Sequence, residues 1–342
     1  MAATMKDIAK ETGLGLATIS SYFNGGNVRE KNRVKIEAAI EKLHYEVNEV
    51  ARGLKTNETH TIGVVIPELN NIFSAEIIMG MEDVLRQHGY ATIICDCRTD
   101  PAIERDAMEF LVRKRVDGLI NMPVDISGRN LQRFQKTGKP IVLIDRKVRG
   151  IKCDTILVDN EDAAFRAVSL LLRNGHKNIG FLGGPRDVYT SQERLKGYAR
   201  AHKAAGVPVQ EALICHGDYT IRGGARGTEE LLDRNVHMTA LFASNYDMTV
   251  GAVIGLNERN IKIPEEISLV GFDNPTFAKA CHPRLTIAVQ PTEEIGQQAA
   301  RIMLQRLSGS EKTDFPACIS LKTEMAEGRS VRDITAVNTE NP

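Results

Sequence analysis

The sequence predicts an α/β protein in which a small helical head precedes a body of two similar lobes, each built on a doubly wound parallel sheet. Three patterns support this prediction. In positions 1–60, apolar residues recur at intervals of three and four, as on amphipathic helices. From position 61 onward, short β-rich runs alternate with amphipathic stretches, which is typical of βαβ units. The second half of the body then repeats the first, which indicates two lobes.

The composition limits the class of protein. A chain of 342 residues exceeds the usual size of one domain. Its 44 basic and 44 acidic residues cancel, so any nucleic-acid or membrane site must come from a local arrangement. No apolar run approaches the roughly 20 residues that span a bilayer, and the N-terminus lacks the pattern of a secretory signal. We therefore expect a cytoplasmic protein without a membrane partner.

The six cysteines are dispersed and predict neither disulfides nor a metal site. Cys95 and Cys97 are two residues apart, but no second pair with the spacing of zinc ligands follows. The eight histidines are also scattered, and none recurs at the helical spacing of metal ligands. We interpret the cysteines as small buried hydrophobic residues, and we expect no metal and no other cofactor.

The head is expected to contain three short helices. Thr4 followed by Asp7 is typical of a helix start with a capping box, and Gly15 can cap the second helix. The third helix is predicted from about Glu30 to His44. Two helices joined by a tight glycine-containing turn have the helix-turn-helix geometry, whose second helix enters the DNA major groove. An ordinary three-helix packing module remains the alternative, because nine basic and eight acidic residues in positions 1–60 make a weakly charged surface.

The body shows strand–helix alternation and an internal repeat. In the first lobe, strands are predicted at 61–66, 91–95, 116–121 and 140–144, and helices at 75–88, 103–113 and about 130–136. Four segments return in the same order in the second lobe: His60–Gly63 as Lys177–Gly180, Gly89–Cys95 as Gly206–Cys215, Val116–Ile120 as Met238–Phe242, and Pro140–Asp145 as Ile267–Asp273. Ligands of open α/β sheets bind beyond the carboxyl ends of the strands. Two facing lobes therefore predict a cleft that a hinge motion can close.

Residues 4–24, TMKDIAKETGLGLATISSYFN, resemble the N-terminal signature of the LacI–GalR family of bacterial transcription regulators. The resemblance continues through Arg33–Ala38 and Leu43–Leu54 and extends to about residue 332. Further family motifs lie in the body, at Asn71–Phe73, Arg115–Gly118, Gly175–Ile179, Arg194–Gly197, Asp247–Gly251, Val270–Asn274 and Gln290–Pro291. No single motif would suffice, but the ensemble is specific.

The resemblance implies a division into four parts. Residues 1–47 would form the helix-turn-helix DNA-binding domain, 48–60 a hinge helix and linker, 61–335 an effector-binding and dimerisation domain, and 336–342 a tail. The effector domain would resemble the periplasmic binding proteins. Its N-terminal lobe is expected at about 61–159 and 291–318, and its C-terminal lobe at about 160–290 and 319–335.

Carried over residue by residue, the family pattern assigns a DNA-binding role to three groups of residues. The residues that would face base edges from the second helix are Leu16, Ala17 and Ser21. The residues that would contact phosphates, and so position the helix without reading sequence, are Thr4, Thr18, Ser20, Asn24 and Arg33. The residues of the hinge helix are Asn48, Ala51 and Leu54, of which Leu54 would insert into the minor groove. The alternative for Leu54 is a linker residue packed on the body.

The sequence departs from the family pattern at several DNA-facing positions. Leu16 and Ala17 are apolar, so the natural partner of each is a thymine methyl group. Ser21 stands where relatives often carry a larger polar or basic residue. Val47 replaces a usual proline, and Glu46 and Glu49 add negative charge beside the DNA. These departures imply weaker and more salt-sensitive DNA binding.

The resemblance places an effector, most often a sugar or sugar phosphate, between the lobes. The matching positions are Phe73, Ser74, Asp145, Thr190, Arg194, Tyr219, Asn245 and Asp273. Their chemistry suits a polyol, because carboxylates accept hydrogen bonds from hydroxyls, an arginine donates them and an aromatic ring stacks on a sugar face. The chain contains no tryptophan, so Tyr219 and Phe73 must supply any apolar platform.

Three of these polar residues also have a purely structural alternative. Asp273 can shape the turn that Asn274 and Pro275 follow. Arg194 can bridge to a neighbouring carboxylate. Asp145 can form a local ion pair with Arg146, and we leave Arg146 out of the expected site for that reason.

The whole pattern predicts a homodimeric, ligand-controlled repressor of transcription that binds a pseudo-palindromic operator. A Rossmann-type enzyme and a secreted sugar receptor are the rival classes. The glycine-rich segments Gly180–Pro185 and Gly223–Gly227 do not match the dinucleotide fingerprint, and no nucleophile elbow or phosphate loop occurs. A receptor would need an export signal and would have no use for the head. We therefore expect no catalytic residue.

Overall fold

The structure of the protein is a computed structural model that describes residues 3–23, 25–46, 58–234, 236–309 and 315–335. The chain divides into two compact units, Met1–Thr59 and His60–Pro342. The expected hinge helix falls outside the described residues.

Within its described residues, the first unit contains the helices α1 (Met5–Thr12), α2 (Leu16–Phe23) and α3 (Glu30–Leu43). Helix α1 begins at the predicted residue, because the Thr4 hydroxyl donates to the Asp7 carboxylate over 2.7 Å and the Thr4 N–H donates to it over 2.9 Å. The three helices share one small core, formed by Ile8, Ile19, Ile36, Ala39 and Tyr45. The spacing of three and four thus directs one face of each helix inward.

Strands and helices alternate through the second unit. The first lobe contains β1 (Thr61–Ile66), α4 (Ile72–Gln87), β2 (Ala91–Asp96), α5 (Pro101–Lys114), β3 (Gly118–Asn121), α6 (Gln132–Gln135), β4 (Ile141–Ile144) and β5 (Asp154–Val158). The second lobe contains α7 (Asn160–Arg173), β6 (Ile179–Gly183), α8 (Tyr189–Ala204), β7 (Ile214–His216), α9 (Ile221–Asp233), β8 (Ala240–Ala243), α10 (Tyr246–Glu258), β9 (Ser268–Phe272), α11 (Pro275–Ala280) and β10 (Thr286–Val289). The chain then returns to the first lobe with α12 (Thr292–Leu307) and β11 (Cys318–Leu321), and to the second with β12 (Glu324–Ala326).

The two lobes have the same sheet topology. The strand order is β11-β5-β4-β3-β1-β2 in the first lobe and β12-β10-β9-β8-β6-β7 in the second. All pairings in the first sheet are parallel. The second sheet is parallel except for its edge strand β12, which runs antiparallel to β10. Apolar clusters lie on both faces of each sheet, as expected for doubly wound sheets.

The predicted sequence repeat corresponds to equivalent strands. The four matched segments lead into or contain β1 and β6, β2 and β7, β3 and β8, and β4 and β9, which occupy the same places in the two sheets. The repeated glycine of the first match has a packing reason. A Cβ atom added to Gly63 would lie 2.7 Å from a methyl carbon of Leu111, and one added to Gly180 would overlap the sulfur of Met238.

The structure corrects the boundary between the lobes near the C-terminus. Strand β11 pairs with β5 of the first lobe through its last residue, Leu321. The crossing to the second lobe therefore comes after Leu321, rather than at residues 318–319. Helix α4 also starts earlier than predicted, at Ile72, because the Asn71 side chain accepts a hydrogen bond from the Phe73 N–H and caps the helix.

Candidate functional site

A cavity of about 130 Å³ lies between the two lobes, at the carboxyl ends of their parallel strands. The first lobe lines it with residues that follow β1 to β4, and the second lobe with residues that follow or lie beyond β6 to β10. All eight residues of the predicted effector site line this cavity: Phe73, Ser74, Asp145, Thr190, Arg194, Tyr219, Asn245 and Asp273. The topology thus gathers these side chains where open α/β sheets bind ligands.

Arg194, in the second turn of α8, is buried and fixed by three contacts. Its Nε donates to Asn160 Oδ1 over 2.8 Å, and its Nη1 donates to the backbone carbonyl of Ser244. The guanidinium carbon lies 3.8 Å from the centroid of the Phe272 ring. Within the described part of the chain, Arg194 makes these three contacts. It forms no ion pair with a neighbouring carboxylate there, so the structural alternative proposed for this residue is not observed. The side chain is therefore a preorganised donor at the cavity.

Asp273 follows β9, and its side chain is buried. Gln290 Nε2 donates to Asp273 Oδ1 over 3.1 Å and to Oδ2 over 2.9 Å. Burial raises the pKa of the Asp273 carboxyl to about 6, while the Arg194 charge and the Gln290 hydrogen bonds oppose the rise. The next residue performs the turn-capping role, because Asn274 Oδ1 accepts from the Phe277 N–H over 2.9 Å at the start of α11. The Asp273 side chain itself lines the cavity.

Asp145 follows β4 and forms the predicted ion pair with its neighbour. Arg146 Nε donates to Asp145 Oδ2 over 3.3 Å, and Arg146 Nη1 donates to the carbonyl of Pro123 over 3.2 Å. Both partners nevertheless line the cavity. Arg146, which the expected site omits, thus lies in the lining as well, because pairing with Asp145 does not remove its side chain from the cavity.

Tyr219 is held between a hydroxyl group and a glycine backbone. Its hydroxyl lies 3.3 Å from Thr190 Oγ1, and a Cβ atom at Gly184 would overlap its ring. Asn245 caps α10, because its Oδ1 accepts from the Met248 N–H over 2.9 Å. The cap engages the oxygen of the Asn245 side chain, so its amide nitrogen is available as a donor to a ligand.

The start of α4 connects the two lobes. Asn71 Oδ1 accepts from the Phe73 N–H, and Asn71 Nδ2 donates to Asp247 Oδ2 in α10 over 3.1 Å. Ser74, in the first turn of the same helix, is buried. Burial raises the pKa of the Asp247 carboxyl to about 6, the negative charge of Glu68 adds to the rise, and the Asn71 hydrogen bond opposes it.

The cavity lining contains polar residues that sequence reasoning did not select: Glu68, Asn71, Thr99, Arg146, Asp218, Tyr246 and Gln290. Asn71 and Gln290 belong to family motifs that the sequence shows. The other residues lie just after a strand or at the start of a helix that follows a strand. A search of every position after a predicted strand would therefore have found them. Tyr246 adds a second tyrosine ring, which packs edge-on against Phe277 with 5.7 Å between the ring centroids.

On α2, four residues with an expected DNA-binding role share one face. Leu16, Ala17, Ser20 and Ser21 are spaced i, i+1, i+4 and i+5, which places them on one side of the helix. Leu16 is 46% exposed and Ala17 is also exposed, whereas Ile19 on the opposite side is fully buried. The N-terminal part of α2 therefore presents an exposed surface that a DNA groove can cover.

The other residues with an expected DNA-binding role are more widely placed. Thr4 is exposed and caps α1, Thr18 is half-buried, and Arg33 is exposed with its Nε 3.7 Å from Glu37 Oε1. The remaining four residues lie outside the described residues: Asn24, Asn48, Ala51 and Leu54.

Two properties of the described residues bear on other classes of protein. They contain no group of three or more His, Cys, Asp or Glu side chains arranged to hold a metal ion. Among the same residues, no helix has both the length and the apolar character needed to cross a membrane.

A three-helix head with an exposed face on its second helix, followed by a two-lobed body with a polar cavity, defines a ligand-responsive DNA-binding regulator. Residues 4–48 match the bacterial regulatory proteins of the lacI family. Residues 59–334 match the family of periplasmic binding proteins and the sugar binding domain of the LacI family. The chain belongs to the LacI family, whose members are transcription regulators and not enzymes.

Comparisons with individual proteins agree with this assignment. The chain is 34% identical to catabolite control protein A of Priestia megaterium, over 90% of this chain and 93% of that protein. It is 28% identical to the transcriptional regulator CelR, solved with cellobiose, with a TM-score of 0.74 over 96% of this chain and 99% of that one. The lac repressor dimer, solved with operator and the anti-inducer ONPF, has the same fold, with a TM-score of 0.86 and 24% identity over 97% of this chain and 100% of that one.

Proposed function

We propose that the protein is a cytoplasmic repressor that binds a pseudo-palindromic operator as a homodimer, and that a sugar or sugar phosphate held between the lobes controls its affinity for DNA. The observation that carries this proposal is the convergence of eight predicted effector residues on one cavity at the strand ends. The relative solved with cellobiose supports a sugar as the class of ligand.

In the proposed DNA complex, the exposed face of α2 lies in the major groove. Leu16 and Ala17 contact thymine methyl groups, because apolar side chains cannot pair with the hydrogen-bonding edges of bases. Thr4, Ser20 and Arg33 lie at phosphates and set the position of the helix. Two copies of this arrangement, related by the dimer axis, read the two half-sites of the operator.

Effector binding and DNA binding are coupled through the arrangement of the lobes. A ligand that prefers one lobe arrangement shifts the population toward that arrangement. The hinge segment transmits this change to the head. Coupling free energies of this kind are about 1–3 kcal/mol, and they are reciprocal, so operator DNA changes effector affinity by the same factor.

Two measurements on the full chain test the proposal. Duplexes from the regulator's own genomic neighbourhood are expected to bind at low ionic strength, and a sugar that binds is expected to change that affinity. A thermal-shift screen of sugars and sugar phosphates identifies the effector, because a ligand of the folded state raises its stability by mass action. Asp273→Ala and Arg194→Ala should each abolish the thermal shift, whereas Asp106→Ala, on the exposed surface of α5, should not. Failure of every duplex to bind, with and without sugars, would refute the proposal.

A further inference from the structure

The charged groups of the cavity are predominantly acidic. Four carboxylates and two guanidinium groups line it among the described residues: Glu68, Asp145, Asp218 and Asp273 against Arg146 and Arg194. An excess of one sign on the walls of a cleft focuses the electrostatic potential there. A phosphate monoester carries a charge of about −1.5 to −2 at pH 7, so its entry opposes this potential. A neutral hydroxyl or an ammonium group does not meet this repulsion.

Both arginines already bond to protein acceptors through two of their three guanidinium nitrogens. Arg194 donates from Nε and Nη1 to Asn160 and Ser244, and Arg146 donates from Nε and Nη1 to Asp145 and Pro123. Each guanidinium group therefore has one nitrogen, Nη2, without such a bond in the described part of the chain. Tight recognition of a phosphate by arginine uses two parallel N–H donors. Because two guanidinium nitrogens of each side chain are already bonded to protein acceptors, fewer of its five N–H donors remain for such a pair.

The inner lining also contains an acceptor that no donor of the described residues reaches. Gln290 is 4% exposed, and its Oε1 makes no hydrogen bond within this part of the chain, whereas its Nε2 is bonded to both oxygens of Asp273. A buried carbonyl oxygen requires a donor. The adjacent carboxylate of Asp273 is itself an acceptor, so a ligand O–H or N–H group is the partner that this end of the cavity lacks.

Other features of the lining define the shape of the ligand. The rings of Phe73, Tyr219 and Tyr246 border the cavity and provide apolar surfaces for a flat or ring-shaped molecule. The N-terminus of α8 begins beside it, at Val188, and attracts a negatively polarised atom. The oxygen of a hydroxyl group can occupy this position, and the same hydroxyl can donate its proton to a carboxylate, which a fully ionised phosphate cannot do.

We propose that the effector is an unphosphorylated ring compound rich in hydrogen-bond donors, such as a free sugar, an amino sugar or a nucleoside, and that the acidic lining rejects the corresponding phosphate ester. This inference rests on the proposed function and narrows its class of effector. Glu68 and Asp218 are the residues that determine this selectivity, because both are carboxylates of the lining outside the ion pair with Arg146 and the contact with Gln290.

Isothermal titration of the full chain at pH 7.5 tests the inference with matched compounds. The probes are glucose, glucosamine and glucose 6-phosphate, ribose and ribose 5-phosphate, and cytidine and its 5′-monophosphate. In each set that shows binding, the phosphate ester should bind at least tenfold more weakly than the unphosphorylated compound. Thermal-shift measurements on the same sets provide an independent readout.

Two variants and a control connect the result to the named carboxylates. Glu68→Gln and Asp218→Asn should each reduce the ratio of the two dissociation constants by at least threefold, because each removes one negative charge. Glu258→Gln, at the exposed end of α10, should leave the ratio unchanged. Circular dichroism verifies that each variant is folded.

A phosphate ester that binds as tightly as its unphosphorylated partner, or more tightly, would overturn the inference. The inference would also be overturned if no unphosphorylated compound of the panel changed the stability of the chain. The same holds if Glu68→Gln and Asp218→Asn both left the ratio of the two dissociation constants unaltered. Operator binding is measured in parallel on the same preparation. Loss of operator binding counts against the proposed function, whereas the ligand preference alone decides this inference.

Discussion

The side-chain amide nitrogen of Asn71 donates a hydrogen bond to the carboxylate of Asp247 over 3.1 Å. Asn71 begins α4 in the first lobe, and Asp247 lies in the first turn of α10 in the second lobe. The bond therefore joins the two walls of the cleft. Because closure of such clefts moves one lobe against the other, this bond stabilises the lobe arrangement seen in the structure.

Asn71→Asp is expected to weaken effector binding. Aspartate keeps the oxygen that caps α4, but it replaces the donor with a carboxylate that faces Asp247. A hydrogen bond to a charged group contributes about 1.5–3 kcal/mol, which corresponds to roughly a tenfold or larger loss of effector affinity by isothermal titration. The double variant with Asp247→Asn restores a donor and an acceptor, and it should recover most of the affinity. Wild-type affinity in the single variant would show that the bond does not contribute to closure.

Asp273→Asn is expected to change the pH dependence of stability. The pKa of this carboxyl is about 6 in the folded protein against 3.8 for an unperturbed aspartate. Between pH 3.8 and pH 6 the folded state binds more protons than the unfolded state. The contribution of Asp273 to the free energy of unfolding is therefore fully present below about pH 4 and is lost as the pH rises through 6. Relative to Asp273→Asn, the wild type should lose about 1–3 kcal/mol in its free energy of unfolding between pH 4.5 and pH 7.5.

Chemical denaturation at the two pH values measures this difference. The buried His176 and His202 have lowered pKa values and make an opposite contribution, in which stability is lost as the pH falls. At each pH, subtracting the free energy of unfolding of Asp273→Asn from that of the wild type cancels the contribution of the two histidines. Asp106→Asn serves as an exposed control, and an equal pH dependence in wild type and Asp273→Asn would contradict the prediction.

Gly184→Ala should reduce effector affinity without unfolding the second lobe. The added methyl group would overlap the ring of Tyr219 and displace it from its place beside Thr190. We expect a loss of about tenfold in affinity, since displacement of an aromatic platform costs on the order of 1 kcal/mol. Asp187→Ala, an exposed position in the same loop, is the matched control. Unaltered sugar binding in Gly184→Ala would exclude Tyr219 from the effector site.

Substitutions in α2 should separate folding of the head from reading of DNA. Ile19 is fully buried, so Ile19→Ala is expected to cost about 2–5 kcal/mol of head stability and to abolish operator binding. Leu16 is exposed, so Leu16→Ala should leave the helical circular dichroism intact and reduce the preference for thymine in selected operator sequences. A strict requirement for G·C pairs opposite Leu16 and Ala17 would defeat the thymine assignment.

Leu54→Ala should reduce operator affinity while leaving effector binding intact. The residue matches the family leucine that wedges into the minor groove, where the gain from a bent, wider contact exceeds the few kcal/mol of unstacking. Gel-shift titration measures the first effect and isothermal titration with the effector measures the second. Operator affinity equal to that of the wild type would support a linker role for Leu54 instead.

The sequence by itself determined the elements and the fold class, because hydrophobic periodicity and capping are local properties. The Thr4–Asp7 pair predicted the start of α1, and the apolar spacing of three and four predicted the helices whose inner faces carry Ile8, Ile19 and Ile36. The internal repeat also predicted two equivalent sheets. Eight cavity residues followed from the family resemblance, since the family motif fixes their positions along the chain.

Only the tertiary structure decided which side chains share the cavity and what each one does there. Gln290 contacts Asp273, and Arg146 reaches the cavity although it is paired with Asp145, because strand order and crossing segments bring distant positions together. The placement of β11 in the first sheet through Leu321 likewise depends on pairing with β5. Burial, charge balance and donor availability are properties of that assembled space, so a linear pattern of residues does not contain them.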